Sequence, residues 1–275
     1  MKLRTPTYFN EFHCIADKCK DCCCIGWEID IDKKSAQREG IEIVAGVGPA
    51  GRDYIGKDIG EVAMLGKTIG APVVDDLESV IDNCDVIIDF STVEMGMRSL
   101  AAARAHGKAL ICGSTGFTPD RVKEFHDAAA DIPVMLAANT SKLVNIMFRL
   151  IQEAAELAGD VDVEILDMHD NTKLDAPSGT AKEIGEIVAD ARGVSLEEEA
   201  VYGRCGVSPR RHGNIGFHSL RGGDIPSSHT TYFVGTSERL EIGSFKSFAA
   251  GAVDAAEFIQ DKPKGFYTIK EAFGL

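Results

Sequence analysis

Val86-Ile87-Ile88-Asp89-Phe90-Ser91-Thr92 is the stretch whose reading decides the fold. Its first five residues carry four apolar side chains, three of them β-branched, which predicts a strand over 86–90. The polar pair that follows predicts a loop. Ser91, with Glu94 three residues on, has the spacing of a capping box. It opens a helix through Met97, Leu100 and Ala101 that stops near Gly107. Working outward, 109–112 reads as the next strand. Thr118-Pro119 opens a further helix, with proline at its first position. Pro133 precedes a strand over 134–137, and upstream 41–47 is a strand candidate. Strands that are apolar throughout and separated by helices predict a parallel sheet covered on both faces. Each strand ends in a small polar loop: Ser91-Thr92, Gly113-Ser114-Thr115, Ala138-Asn139-Thr140. Ligands of open parallel sheets bind at the carboxyl ends of the strands, so a dinucleotide is expected on these loops.

Beyond Lys142 the pattern changes. A helix over 143–158 is expected to end at Gly159. Residues 161–168 alternate, with Val163, Ile165 and Asp167 on one side and Asp162, Glu164 and Leu166 on the other. Runs at 215–220, 230–234 and 239–245 are also β-like. The amphipathic stretch 249–260 is expected to return to the first domain. The expected fold class is α/β: a Rossmann-like parallel-sheet domain plus an α+β domain with a mixed sheet. The expected boundaries are 1–34 for an N-terminal Cys-rich segment, 35–140 with 247–275 for a dinucleotide-binding domain, and 141–246 for a substrate-binding and oligomerisation domain.

The composition bounds the function. The 275 residues are 44% apolar and 26% charged, as expected for a folded globular chain. No apolar run approaches the roughly 18 residues of a membrane span. Met1 to Phe12 has no apolar core of a secretory leader, so a cytoplasmic protein is expected. There are 29 basic and 43 acidic residues, net −14, which argues against a nucleic-acid partner. A small anionic substrate would need a locally positive pocket. Of eight cysteines, five lie between Cys14 and Cys24, while Cys84 and Cys112 sit in or beside apolar runs as small hydrophobes.

Met168-His169-Asp170-Asn171-Thr172-Lys173-Leu174-Asp175-Ala176-Pro177-Ser178-Gly179-Thr180-Ala181 carries the chemistry. It follows a strand and precedes a helix. Thr180 with Glu183 has capping-box spacing, which would leave the N–H groups of Gly179 and Thr180 pointing outward to hold a carboxylate or phosphate. Histidine, at 169, is the side-chain type suited to giving or taking a proton, and Lys173 supplies a cation. An anion cradle, a proton donor and a cation in one loop suit a carboxylated substrate; an ordinary surface loop with a His and a Lys is the alternative.

This stretch resembles the signature of the 4-hydroxy-tetrahydrodipicolinate reductase (dihydrodipicolinate reductase) family of lysine and diaminopimelate biosynthesis. Other segments resemble that family in order and spacing: 85–91, Gly113 to Phe117, Ala137 to Ser141, 215–224 and 251–256. The resemblance runs from about Gly40 to the C-terminus. It implies an NADPH- or NADH-dependent oxidoreductase acting on a small dicarboxylate, with no nucleic-acid or membrane partner, assembled as a homotetramer. It implies that His169 is the catalytic proton donor and Lys173 the catalytic lysine. Gly179 and Thr180 would bind a substrate carboxylate. Gly113, Ser114 and Thr115 would touch the nicotinamide, and Ala137, Ala138, Asn139 and Thr140 would form a second cofactor loop. Arg221 and Asp224 would lie near the substrate.

The chain departs from that family at its start. The usual strand, Gly-rich loop and helix that hold the pyrophosphate are not found. Residues 33–39 are too few for a crossover, which needs at least about 10–12 residues. Gly46, Gly48 and Gly51 match a Gly-x-Gly-x-x-Gly literally, but no helix is expected after them because Gly56 and Gly60 interrupt. In place of the missing unit, Tyr8, Phe12, Cys14, Cys19, Cys22, Cys23, Cys24, Gly26 and Trp27 resemble the Cys-rich start of the flagellin lysine-N-methylase family. Clustered thiolates suggest zinc or an iron–sulfur cluster. The competing reading is a segment joined from another reading frame with no ligand. Two alternatives to a working reductase follow: a reductase-like chain with impaired cofactor binding, and a Cys-cluster metal module.

Overall fold

The computed structural model describes residues 41–245 and 248–275. The Cys14–Cys24 cluster and the junction at 33–39 lie outside the described residues. The chain divides into two units, Met1–Ala138 with Ala252–Ala272, and Asn139–Gly251 with Phe273–Leu275.

The first unit contains strands β1 (Gly46–Val47), β2 (Val73–Val74), β3 (Val86–Asp89), β4 (Ala109–Cys112) and β5 (Pro133–Leu136), with helices α1 (Ile59–Val62), α2 (Val93–His106) and α3 (Pro119–Ala128). Helix α7 (Ala249–Ile259), strand β11 (Gly265–Tyr267) and helix α8 (Ile269–Phe273) follow the second unit in the chain and contribute most of their residues to the first. Its main sheet is parallel throughout, in the order β11-β5-β4-β3. All four residues of β4 are buried, because both faces are covered. Leu100, Leu110, Phe125 and Val134 form the core on one side, and Ile111, Met135, Ala255 and Ile259 on the other. Strand β11, which returns to pair with β5, was not foreseen in the sequence.

Two boundaries differ from the expectation. Thr92, not Ser91, caps α2: the Ser91 N–H and hydroxyl both donate to Asp89 Oδ1, at 3.1 and 2.8 Å, while Thr92 Oγ1 accepts the Met95 N–H at 3.3 Å. Gly107, at φ 64°, closes that helix where glycine is favoured. The strand expected over 41–47 is reduced to the two residues of β1, which pair only with β2. A strand persists only where a ladder partner runs beside it, and among the described residues nothing pairs with 41–45. The glycines at 46, 48 and 51 are not followed by a helix; α1 starts at Ile59. Strand β3 is an outer strand of its sheet, and its Ile88 is 38% exposed.

The second unit contains α4 (Lys142–Leu157), β6 (Asp162–His169), α5 (Gly179–Arg192), α6 (Leu196–Glu199), β7 (Ala200–Tyr202), β8 (Ile215–Arg221), β9 (Ser228–Gly235) and β10 (Glu238–Phe245). Its sheet is mixed, in the order β10-β9-β6-β8-β7. The central strand β6 runs parallel to β8 and antiparallel to β9. It alternates along its whole length, with Val163, Ile165, Asp167 and His169 buried. Val163 and Ile165 pack with Val144, Phe148, Ile184 and Val188 of α4 and α5. The same face turns polar at its last two inward positions, and the candidate site begins there. Among the described residues no helix is long and apolar enough to cross a membrane.

Candidate active site

Asp167 and His169 are carried by β6 on its buried face, with side chains 1% and 3% exposed. His169 Nδ1 lies 2.7 Å from Asp167 Oδ1. An ionised carboxylate only accepts, so Nδ1 is the protonated nitrogen of that contact. Asp167 Oδ1 also accepts from Arg221 at 2.9 Å. Its Oδ2 accepts the Ser178 N–H at 2.8 Å and the Ser219 hydroxyl at 3.0 Å. Burial pushes the Asp167 carboxyl up, but the His169, Ser178 and Arg221 donors outweigh it and hold the group well below the usual carboxylate range. His169 Nε2 is buried and has no hydrogen-bond partner among the described residues.

The loop after β6 brings the other expected groups. Lys173 Nζ lies 2.5 Å from Asp175 Oδ1 and is a quarter exposed. Such a partly exposed pair contributes about 0–1 kcal/mol, so the ammonium is readily released to another anion. Ser178, not Thr180, caps α5: its Oγ accepts the Ala181 N–H at 3.3 Å. Thr180 is the second helical residue, and its Oγ1 accepts from Asn139 Nδ2 at 3.3 Å. The first intrahelical bond is Lys182 N–H to Ser178 C=O, so the N–H groups of Gly179 and Thr180 lie outside the helix ladder. They are placed to receive an anion, with the helix dipole behind them. A different capping residue therefore leaves the same two N–H groups outside the ladder.

Arg221 does not stand as a free cation. Its guanidinium bridges Asp167 and the Asp175 carbonyl, the latter at 2.7 Å, and so ties the loop to the end of β6. Asn139 joins the second unit through three contacts: the one to Thr180, the Ser141 N–H to its Oδ1 at 2.9 Å, and Asn145 Nδ2 to its carbonyl at 3.0 Å. Thr140 is buried, and its hydroxyl donates to the Phe248 carbonyl at 2.9 Å.

In the first unit, Asp89 at the end of β3 collects Ser91, Ser99 and Ser114 hydroxyls at 2.8, 2.6 and 3.0 Å. It thereby pins two of the strand-end loops to each other. A Cβ on Gly113 would overlap the Phe90 ring, so the loop holds its course only with glycine there. Gly113, Ser114 and Ala137 are buried, and Thr115 and Ala138 are exposed.

Sequence reasoning did not single out Ser178, Ser219 or His229 as site residues. Asp167 was legible in principle, since an acid on an otherwise apolar strand face has to be paired. His229 in β9 gave no signal: Ser228-His229-Thr230-Thr231 reads only as β-like. Its Nε2 meets Ser178 Oγ at 2.9 Å, and its ring stands edge-on to His169 with centroids 5.3 Å apart. Asp167, His169 and His229 each offer a ligand atom within 4.8 Å of the others. Arg221 already balances the carboxylate and His169 bonds it directly, so the geometry is that of a hydrogen-bonded relay.

Family models described as dihydrodipicolinate reductase, N-terminus, and dihydrodipicolinate reductase, C-terminus, match residues 30–140 and 143–273. The 4-hydroxy-tetrahydrodipicolinate reductase of Ralstonia nicotianae is 46% identical over 242 residues, covering 86% of this chain and 91% of that protein. The protein of the same name from Geobacter metallireducens is 39% identical over 247 residues, covering 88% and 92%. Among solved structures, dipicolinate-bound dihydrodipicolinate reductase from Paenisporosarcina sp. TG-14 superposes with a TM-score of 0.64 at 22% identity, covering 85% of this chain and 90% of that one.

Proposed function

The chain belongs to the dihydrodipicolinate reductase family, and from that premise we infer that it is an oxidoreductase reducing 4-hydroxy-tetrahydrodipicolinate to tetrahydrodipicolinate in lysine and diaminopimelate biosynthesis. The observation that carries this reading is local to the second unit. A buried Asp167–His169 pair, the releasable Lys173 ammonium and the open N-terminus of α5 converge on one loop.

Each group has a task in that reaction. A dicarboxylate in a chain of net charge −14 needs local positive potential. Lys173 and the Gly179 and Thr180 N–H groups supply it. The reduced nicotinamide supplies a hydride. Loss of the 4-hydroxyl as water leaves a conjugated cyclic imine, and hydride addition to it builds negative charge on its nitrogen system, which calls for a proton. His169 is the donor in its imidazolium form, and Nε2 is the atom that gives the proton and is left bare, because Nδ1 is held by Asp167. NADPH or NADH would be held by Gly113, Ser114, Thr115, Ala137, Ala138, Asn139 and Thr140. The pinned, glycine-dependent turn after β4 fits that use, as the Asp89 contacts and the Phe90 ring define its path. The first unit would serve as the dinucleotide-binding domain, and Asn139–Gly251 as the substrate-binding one. A cytoplasmic location suits such a biosynthetic enzyme.

A homotetramer is what membership of this family suggests for the chain. The comparisons favour neither a reductase-like chain without activity nor a metal module. Calorimetry with pyridine-2,6-dicarboxylate tests the substrate class without needing the cofactor. The chain should bind it, and Lys173→Ala should weaken binding by about tenfold or more, about 1.4 kcal/mol. Unchanged binding in Lys173→Ala would remove the lysine from the substrate site.

A further inference from the structure

We propose that Asp167 is the positioning residue of the reaction: it fixes the proton on His169 Nδ1, so that Nε2 alone exchanges a proton, and it locks that imidazole in register with the anion cradle of α5. The proposal rests on the reading of His169 as the proton donor. The geometry supplies both halves of it.

The first half is the tautomer. A neutral imidazole carries one proton, and whichever nitrogen faces a permanent acceptor keeps it. Asp167 Oδ1 lies 2.7 Å from Nδ1, buried, and Arg221 faces the same carboxylate at 2.9 Å. The carboxylate is kept ionised by those donors and so remains an acceptor throughout. Nε2, buried and unpaired among the described residues, is the position left for the exchanging proton.

The second half is the register. Asp167 Oδ2 takes the Ser178 N–H at 2.8 Å, and Ser178 is the N-cap of α5, directly before Gly179 and Thr180. One carboxylate therefore touches both the proton donor and the residue that starts the cradle. A shift of about 1 Å in such a site can lower the rate about 10²-fold, so a shared rigid contact has kinetic value. The Ser219 hydroxyl and Arg221 fix the remaining orientations of the carboxylate, which leaves it no second rotamer with equal bonding.

The test uses the full chain labelled with ¹⁵N-histidine, its seven histidines being resolved by comparison with His169→Gln. In the native protein above neutral pH, the His169 ring should show a protonated Nδ1 and a bare Nε2. Asp167→Asn should lose that signature and lower kcat about 10²-fold or more with KM changed far less, as measured at saturating nucleotide. Asp167→Glu, which keeps an acceptor, should restore the signature and part of kcat. A native ring protonated at Nε2, or an Asp167→Asn variant with unchanged tautomer and kcat, would overturn the proposal. Should Asp167→Asn fail to fold, the native signature and Asp167→Glu decide it. His169→Gln separates the two levels of the argument. If it turns over normally, the reading of the site falls; if it is inactive while Asp167→Asn is not, only the role of Asp167 falls.

Discussion

At the scale of the residue, a buried ion pair stays charged only when every lone pair and proton has a partner, and Asp167 shows how that is met here. The consequence is a pH dependence. Its folded-state value is depressed by the donors around it, chiefly His169, the Ser178 N–H and Arg221, which together outweigh burial. The stability it contributes is therefore full above the unfolded-state value of about 3.9 and is lost as the pH falls below that. Urea midpoints followed from pH 6 downward should decline below about pH 4, and Asp167→Asn should flatten the decline. An equal decline in the variant would place the acid sensitivity in other carboxylates. His169→Gln and Lys173→Ala should each lower turnover about 10²–10⁴-fold without unfolding the chain, because both occupy a polar loop or strand end and not the apolar core. Near-normal turnover in both, with an active parent, would remove them from the chemistry. His169, Lys173, Gly179 and Thr180 could be nominated from the sequence because they lie within one short stretch. Ser178 was hidden behind the equally well-spaced Thr180, and His229 comes from a distant strand whose sequence signals only β structure.

At the scale of the element, the reading of the parallel strands held. Strands β3, β4 and β5 fall within a residue or so of 86–90, 109–112 and 134–137, since continuous apolar runs leave little doubt of period. The reading of 41–47 failed because a strand depends on a neighbour, which a local pattern does not reveal. The gap matters. β1 and β2 form a two-stranded sheet of their own, and among the described residues no strand joins them to β3, whose Ile88 is left partly exposed. The expected absence of a first strand–Gly-rich-loop–helix unit concerns residues 1–39, which lie outside the described residues. Replacing residues 1–39 with such a unit should raise NAD(P)H affinity by at least about tenfold, roughly 1.4 kcal/mol, in a fluorescence titration. Micromolar binding by the chain as it stands would show that the unit is not needed. Close approach makes a second prediction. A Cβ on Gly251 in α7 would run into the Thr140 carbonyl, so Gly251→Ala should lower stability by about 1–3 kcal/mol in urea unfolding. An unchanged midpoint would mean that the helix start can shift freely.

At the scale of the whole molecule, the two units were visible as a change of period near residue 142, from continuous apolar runs to alternation. The return of the last helix to the first unit was visible in its apolar stripe. Strand β11 was not, since Gly265-Phe266-Tyr267 is too short to carry a period. The proposed assembly can be read by light scattering: a tetramer mass is expected, and a monomer at all concentrations would contradict it. The central claim is that this chain reduces 4-hydroxy-tetrahydrodipicolinate with a proton from His169. It is tested most directly by following oxidation of NADPH and NADH with and without that substrate, in the chain as it stands at saturating nucleotide and in the chain with residues 1–39 replaced. The account predicts oxidation that requires the substrate and disappears in His169→Gln. Absence of substrate-dependent oxidation in both chains, while both bind pyridine-2,6-dicarboxylate and nucleotide, would contradict it.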